Sequence, residues 1–352
     1  MKKNLLFFAA LTVLFMVSCS KGDSGGGTGP VVTDDRPVVK LTKSAILADG
    51  FETTTISAVD KNNNDITAQC AITINNVLVN SYEYYTATSG TYTVKAKLGT
   101  KESLAVTLNA TSPGPSKYSQ KVLAEDFTGA WCGYCPRVAH SLEQIQNSNP
   151  RVLSVAVHNG DPMAHPQEGQ LRSRWSINAW PTAMVNRKYE WNEQASVLTG
   201  ETNKWSPLGL AIESSLTGSI ITGKVKTEFD VTTSLPLVVC VMLVEDGIVY
   251  PQTSYYNGTS GSPFFGLGNP IANYVHNHTL RKFGTNIFGD AIPSASQVKG
   301  TVYEKPFTID ATGYNLSKCS IIAFVGYGEG LNNRAGALNA QIVKAGLNQS
   351  FD

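Results

Sequence analysis

Cys132 and Cys135, in "GAWCGYCPRV", lie three positions apart, a spacing at which two sulfurs can meet. They follow the apolar run "KVLAEDF" and precede apolar residues at Val138, Leu142 and Ile145, close to a helical repeat. The pair therefore stands where a strand gives way to a helix. At a helix N-terminus the unpaired N–H groups and aligned peptide dipoles favour negative charge on sulfur, and a thiolate attacks a disulfide far better than a thiol does. Cys132 is placed to attack. Cys135, one turn further in, would resolve the mixed disulfide. Pro136 costs little if it falls in the first turn, where the missing N–H has no intrahelical partner, so its effect depends on where the helix begins.

Zinc is the rival use of such a pair, but a structural zinc site takes four ligands, commonly two such pairs or one pair with two histidines. No second C-x-x-C is present, and His276 and His278 in "YVHNHTLR" belong to another part of the chain. Neither a metal nor any other cofactor is expected at the cysteines. The two histidines could share a strand face. With no third ligand apparent, they read as hydrogen-bonded structural residues.

The elements that must hold the pair follow from hydrophobic patterning. "KVLAEDF" and "RVLSVAVH" are buried-type strands, "HPQEGQLRSRWSI" has a helical pattern and "PTAMVNRKYEW" is strand-like. Strand, helix, strand, helix, strand is the order of an α/β layer.

This stretch, 118–217, resembles a thioredoxin-like domain. Three features carry the resemblance: "WCGYC" between first strand and helix, Asp126 six residues before Cys132, and "INAWPTAMV" with Trp180-Pro181-Thr182. The resemblance implies that Asp126 is a buried carboxyl beneath the dithiol, raised in pKa by desolvation and able to take the proton from Cys135. Glu125 is the competing candidate. Adjacent strand residues point to opposite faces, so only one of the two can face the cysteines, and the family spacing favours Asp126. Pro181 would be cis, setting the Trp180 backbone beside Cys132 where an extended substrate could pair as an added strand. Trp131 and Trp180 would form an apolar rim, unless they are ordinary core residues. Gly133 and Tyr134 between the cysteines resemble the pair found in bacterial periplasmic disulfide isomerases. Dithiols on this scaffold range from about −270 to about −120 mV, so reductant, isomerase and oxidant all stay open.

On either side the composition changes. Over 37–112, β-branched runs such as "TTTISAVD", "AITINNVLV" and "GTYTVKAKL" alternate with turn clusters, the spacing of a small β-sandwich. The "ADG" turn and "GTYTV" strand resemble bacterial immunoglobulin-like modules, which usually act as spacers. "TSPGPSKYS" then reads as a linker. Over 218–352, "GKVKTEFDV", "LPLVVCVMLVED", "GTVYEKPFTI" and "CSIIAFVGY" predict a second β-sandwich. Its opening "GSIITGKV" nearly spells a phosphate loop, but Val225 stands where Ser or Thr is needed and a strand pattern follows, so no nucleotide site is expected. Cys240 and Cys319 each interrupt an apolar run. They either pair across neighbouring strands or remain buried thiols, and an oxidising compartment favours the disulfide, leaving Cys70 over.

The compartment is suggested by the first residues. "MKKNLLFFAALTVLFMVSCS" has two lysines, an apolar segment too short to span a bilayer comfortably, then a small residue and Cys19. It resembles a bacterial lipoprotein signal, which implies cleavage after residue 18 and acylation of Cys19. The Gly- and Ser-rich 19–36 stretch would be a flexible tether. A composition of 42% hydrophobic and 16% charged residues with a net charge of +1 supports sizeable cores and gives no support to nucleic-acid binding.

The chain thus predicts a multidomain α/β plus all-β architecture. The order of signal, spacer, thioredoxin-like domain and terminal β-domain with "VEDGIVYPQ" and "YVHNHTLR" resembles the outer membrane protein 28-related lipoproteins of Bacteroides-like bacteria. The resemblance covers about 120–350 and implies a lipid-anchored place in the cell envelope, at the outer membrane. The expected function is thiol–disulfide exchange with envelope proteins. The alternative is a binding or adhesion lipoprotein that keeps the thioredoxin-like centre as a scaffold.

Overall fold

The computed structural model describes residues 34–331 and 334–352. The signal segment, Cys19 and nearly all of the 19–36 tether lie outside the described residues.

Residues 38–111 form two small sheets around one core. Strands Val38–Leu41, Thr54–Val59 and Glu83–Tyr84 make the first, and the second is built on Ala71–Ile74, Gly90–Leu98 and Val106–Thr111. Alternation along the strands turns Ile56 and Ala58 from one sheet toward Ile72, Val94, Ala96 and Leu108 from the other. Cys70 lies half-buried at the edge of this core as a free thiol.

The main body is organised by a nine-stranded sheet. Strand Val122–Thr128, buried along its whole length, runs parallel to Val152–His158 and antiparallel to Thr182–Val185. Helix Cys135–Ser148 lays Val138, Leu142 and Ile145 on Val122, Ala124 and Val152, which realises the helical spacing seen in the sequence. Helix Glu168–Arg174 adds Leu171 to the opposite face.

The sheet does not stop at the expected boundary. Strand Thr279–Phe283 pairs with Val152–His158, then come Leu237–Glu245, Cys319–Tyr327 and Ala337–Lys344. A separate sandwich over 218–352 is therefore corrected: its longest strands extend the sheet that carries the cysteine motif. The division at 217/218 falls in a hairpin between Leu208–Thr217 and Ile220–Phe229, which with Val302–Asp310 form a three-stranded sheet over one face. The physical reason is legible in "LVVCVMLVE". Such a run has no polar alternation because it is covered on both sides. Val239, Val241 and Leu243 face the three-stranded sheet, while Cys240, Met242 and Val244 face Phe127, Val155 and Met184.

The expected Cys240–Cys319 disulfide is also corrected, since both are buried free thiols. Cys240 opposes Phe324, whereas Cys319 opposes Glu245. The offset of five positions is about 17 Å along the strand, far beyond disulfide reach. Being odd, it also puts the sulfurs on opposite faces, in different cores. Burial pushes each thiol up to about 11. "GSIITGKV" contributes to a strand, as the absence of a helix pattern predicted.

Candidate functional site

Cys132 and Cys135 are joined, with an S–S distance of 2.00 Å. Backbone bonds from Cys132 N to the Gly129 carbonyl (3.0 Å) and from Cys135 N to the Cys132 carbonyl (3.3 Å) wind the loop into the helix. The helix begins at Cys135, so Pro136 occupies its first turn, where no N–H is required. Both cysteines are well covered: Cys132 keeps 4% of its surface open and Cys135 only 1%, a narrower opening than an attacking sulfur suggests.

The two carboxylates diverge as strand alternation requires. Glu125 is fully buried and forms a two-point ion pair with Arg187, Nε to Oε2 at 2.8 Å and Nη2 to Oε1 at 2.7 Å. Arg187 also donates to the Ile287 carbonyl and stacks on Trp175 and Phe324. Asp126 takes the other face. It lines a cavity of about 60 Å³ together with Cys135, and its buried Oδ1 has no hydrogen-bond partner among the described residues. Burial, helped by the Glu193 charge, pushes its carboxyl up to about 8. At neutral pH the neutral acid is the favoured form.

The Trp180–Pro181 bond is cis. Thr182 opposes Phe127 in the sheet register, which brings Pro181 to the end of the strand that leads into the cysteine loop. Trp180 meets Trp131 edge to face with ring centres 5.5 Å apart, beneath the Arg172 guanidinium. Trp131 is 45% exposed, and its indole Nε1 donates to the Asn159 carbonyl at 2.7 Å. Tyr134 is 54% exposed. Trp131, Gly133, Tyr134, Trp180 and Pro181 are thus gathered around the disulfide's end of the sheet.

Sequence reasoning missed the contribution of the C-terminal third. The Gln252 side-chain amide, itself buried, donates to the carbonyls of Cys132 (2.9 Å) and Gly129 (3.2 Å). Thr253 N donates to the Ala130 carbonyl and Tyr255 N to the Gly133 carbonyl. The segment thus lies along the motif's backbone. Gly133 is required by this approach: a Cβ there would fall 2.5 Å from the Tyr255 ring.

Tyr274 and His276 close the cavity beneath. The His276 ring packs on His158 at 5.1 Å, and its Nε2 lies 3.2 Å from the Tyr250 carbonyl. Burial, reinforced by His158, lowers His276 to about 4. His276 ends the strand Val275–His276 and His278 lies outside it, at a left-handed φ of +55°, so the two do not share a strand face; both nevertheless border this cavity, and His278 Nδ1 lies 3.0 Å from an Asp246 carboxylate oxygen. Among the described residues, no group of three or more His, Cys, Asp or Glu is arranged to hold a metal ion. The only hint of these contacts lay in the motifs "VEDGIVYPQ" and "YVHNHTLR", which no spacing rule ties to residues more than a hundred positions earlier.

A sequence model of the outer membrane protein Omp28 family matches residues 168–349, more than half of the chain. The chain belongs to the Omp28 family. The match begins after the cysteine motif and takes in Pro181, Gln252, Tyr255 and His276. This Omp28-family chain is also 27% identical over 94 residues to a thioredoxin-like protein of Haemophilus influenzae, covering 22% of this chain and 54% of that protein. The chain thus spans about half the length of that relative. HBP35 of Porphyromonas gingivalis superposes with a TM-score of 0.53 at 19% identity, covering 65% of this chain and 76% of that one, which shows a shared fold. The adhesin InvE of Yersinia pseudotuberculosis aligns at a TM-score of 0.22 and 10% identity, too low to bear on the fold. Membership in the Omp28 family supports an outer-membrane or envelope location. No helix among the described residues is long and apolar enough to cross a membrane.

Proposed function

We propose that this Omp28-family protein is a thiol–disulfide oxidoreductase of the cell envelope, held to the outer membrane by lipid on Cys19. Its partners are thiols and disulfides of envelope proteins. The observation that carries this reading is Asp126, a buried carboxyl with an unpartnered oxygen facing the same small cavity as Cys135. A buried unpaired acid is costly to a fold and is explained when a proton must be held beside a sulfur.

The exchange balances as follows. A client thiolate attacks Cys132 Sγ, the bond to Cys135 breaks, and its electron pair leaves on the Cys135 sulfur, which takes the proton held by Asp126. A second client thiolate attacks the client sulfur of the mixed disulfide and Cys132 leaves as a thiolate. The client has gained a disulfide and the cysteine pair two electrons. In the reverse direction, Cys132 attacks a client disulfide and Asp126, now a carboxylate, takes the Cys135 proton as Cys135 resolves the intermediate. Trp180 and Pro181 flank the place where the client chain would lie.

One observation favours the second reading, an envelope binding or adhesion lipoprotein on the same scaffold: the near-complete cover over Cys132. The test is to equilibrate the detergent-solubilised full-length protein in glutathione buffers, follow alkylation of Cys132 and Cys135, and trap partners with Cys135→Ser. Exchange at neutral pH, with mixed disulfides formed through Cys132, is expected. If neither sulfur exchanges, the binding reading stands instead.

A further inference from the structure

The rings around Cys132 come from three separate parts of the chain. Trp180 stands beside the cis proline, Trp131 and Tyr134 belong to the motif, and Tyr255 arrives from the C-terminal third. Tyr134 and Tyr255 meet edge to face with centres 5.0 Å apart, and Trp131 and Trp180 do so at 5.5 Å. Edge-to-face pairing fixes the rings while leaving part of each uncovered. Tyr255 is 57% exposed although its backbone is bonded to Gly133 and its ring rests on that residue. A ring held this firmly and left this open is a prepared contact surface.

The charges at its margin are already answered. Arg137 pairs with Glu193 and is bonded to the Tyr256 hydroxyl, and Arg172 pairs with Glu168. Arg172 also lies over the Trp180 ring, so what remains open for a visitor is Trp131, Tyr134 and Tyr255.

We infer that Tyr255, with Tyr134, Trp131 and Trp180, selects clients whose cysteine lies in an extended segment flanked by aromatic or large aliphatic side chains. The inference rests on the oxidoreductase reading and names its substrate class. A client sulfur must come within bonding distance of Cys132, about 2 Å, so the residues around it are forced onto these rings. In an extended chain the residues two positions either side of a cysteine share its face. Those two side chains would be the first to reach the rings that adjoin Cys132. Such segments are buried in finished proteins, so the clients would be incompletely folded chains.

The experiment compares two peptide disulfides, one with Phe two positions before and after the cysteine and one with Gly at both places, using the reduced full-length protein in detergent. Oxidised glutathione serves as a third substrate. The wild type should prefer the Phe peptide, and Tyr255→Ala should cut the ratio of the two rates about tenfold. Tyr255→Phe should restore it. Tyr255→Leu keeps packing on Gly133 but lacks the ring, so it serves where Ala loosens the segment, and it should lower the ratio as well. Exchange with all three substrates without preference, or a ratio unmoved by Ala and Leu, overturns the assignment of Tyr255 and leaves the oxidoreductase reading intact. Failure to exchange with any of them overturns both.

Discussion

On one side of the 122–128 strand, Glu125 is sealed with Arg187 between two aromatic rings; on the other, Asp126 looks into a cavity with nothing opposite one of its oxygens. The two residues are adjacent and equally buried. Their difference separates two uses of a buried carboxyl. Where the counter-charge is supplied, the group ties elements together, here the first strand of the layer to the residues after Val185. Where it is withheld, the group keeps a proton, and the cysteine beside it is the group that could use one.

The comparison predicts effects of opposite sign. Arg187→Met should cost up to about 5 kcal/mol in urea unfolding because it strands the Glu125 charge, and adding Glu125→Leu should recover most of the loss. An Arg187→Met protein as stable as the wild type would remove the distinction. Asp126→Asn should instead stabilise the oxidised protein at pH 7, on the order of 3 kcal/mol. The sign follows from a folded-state pKa of about 8 above the ordinary 3.8. That contribution is fully present below about pH 4 and is lost as pH rises through 8, so the two proteins should converge in acid and part toward neutrality. The same variant should slow exchange about 100-fold, the scale of a lost general acid–base group. The smallest effect concerns the cover over the cysteine loop. Gly133→Ala should cost about 1–3 kcal/mol by forcing a methyl against Tyr255, and the loss should largely disappear in a Tyr255→Ala background.

Much of the site's local frame was legible. Periodicity located the strand before the cysteines, the helix after them and the neighbouring strands, because those elements bury one stripe or one whole face each. Alternation also guaranteed that Glu125 and Asp126 would part, although it did not say which would face sulfur. The partners were not legible. Arg187 is 62 positions from Glu125 and Gln252 is 120 from Cys132, and no local signal records such distances. Register was equally hidden: Cys240 and Cys319 lie on adjacent strands, yet their pairing depended on an offset that composition cannot give. The unbroken apolar stretch at 237–244 already called for cover on two sides, which a sandwich with a wet outer face does not supply.

Because the Thr279–Phe283 strand borders Val152–His158, the cysteine-bearing layer has no margin of its own on that side. A chain cut after residue 217 would bare the edge of the 152–158 strand where Ala156 pairs with Thr279 and strip Met242, Val244 and Leu280 from the hydrophobic layer beneath. Such a fragment would be expected to stick to copies of itself. The motif is not a freestanding unit; the residues after 217 are its keystone.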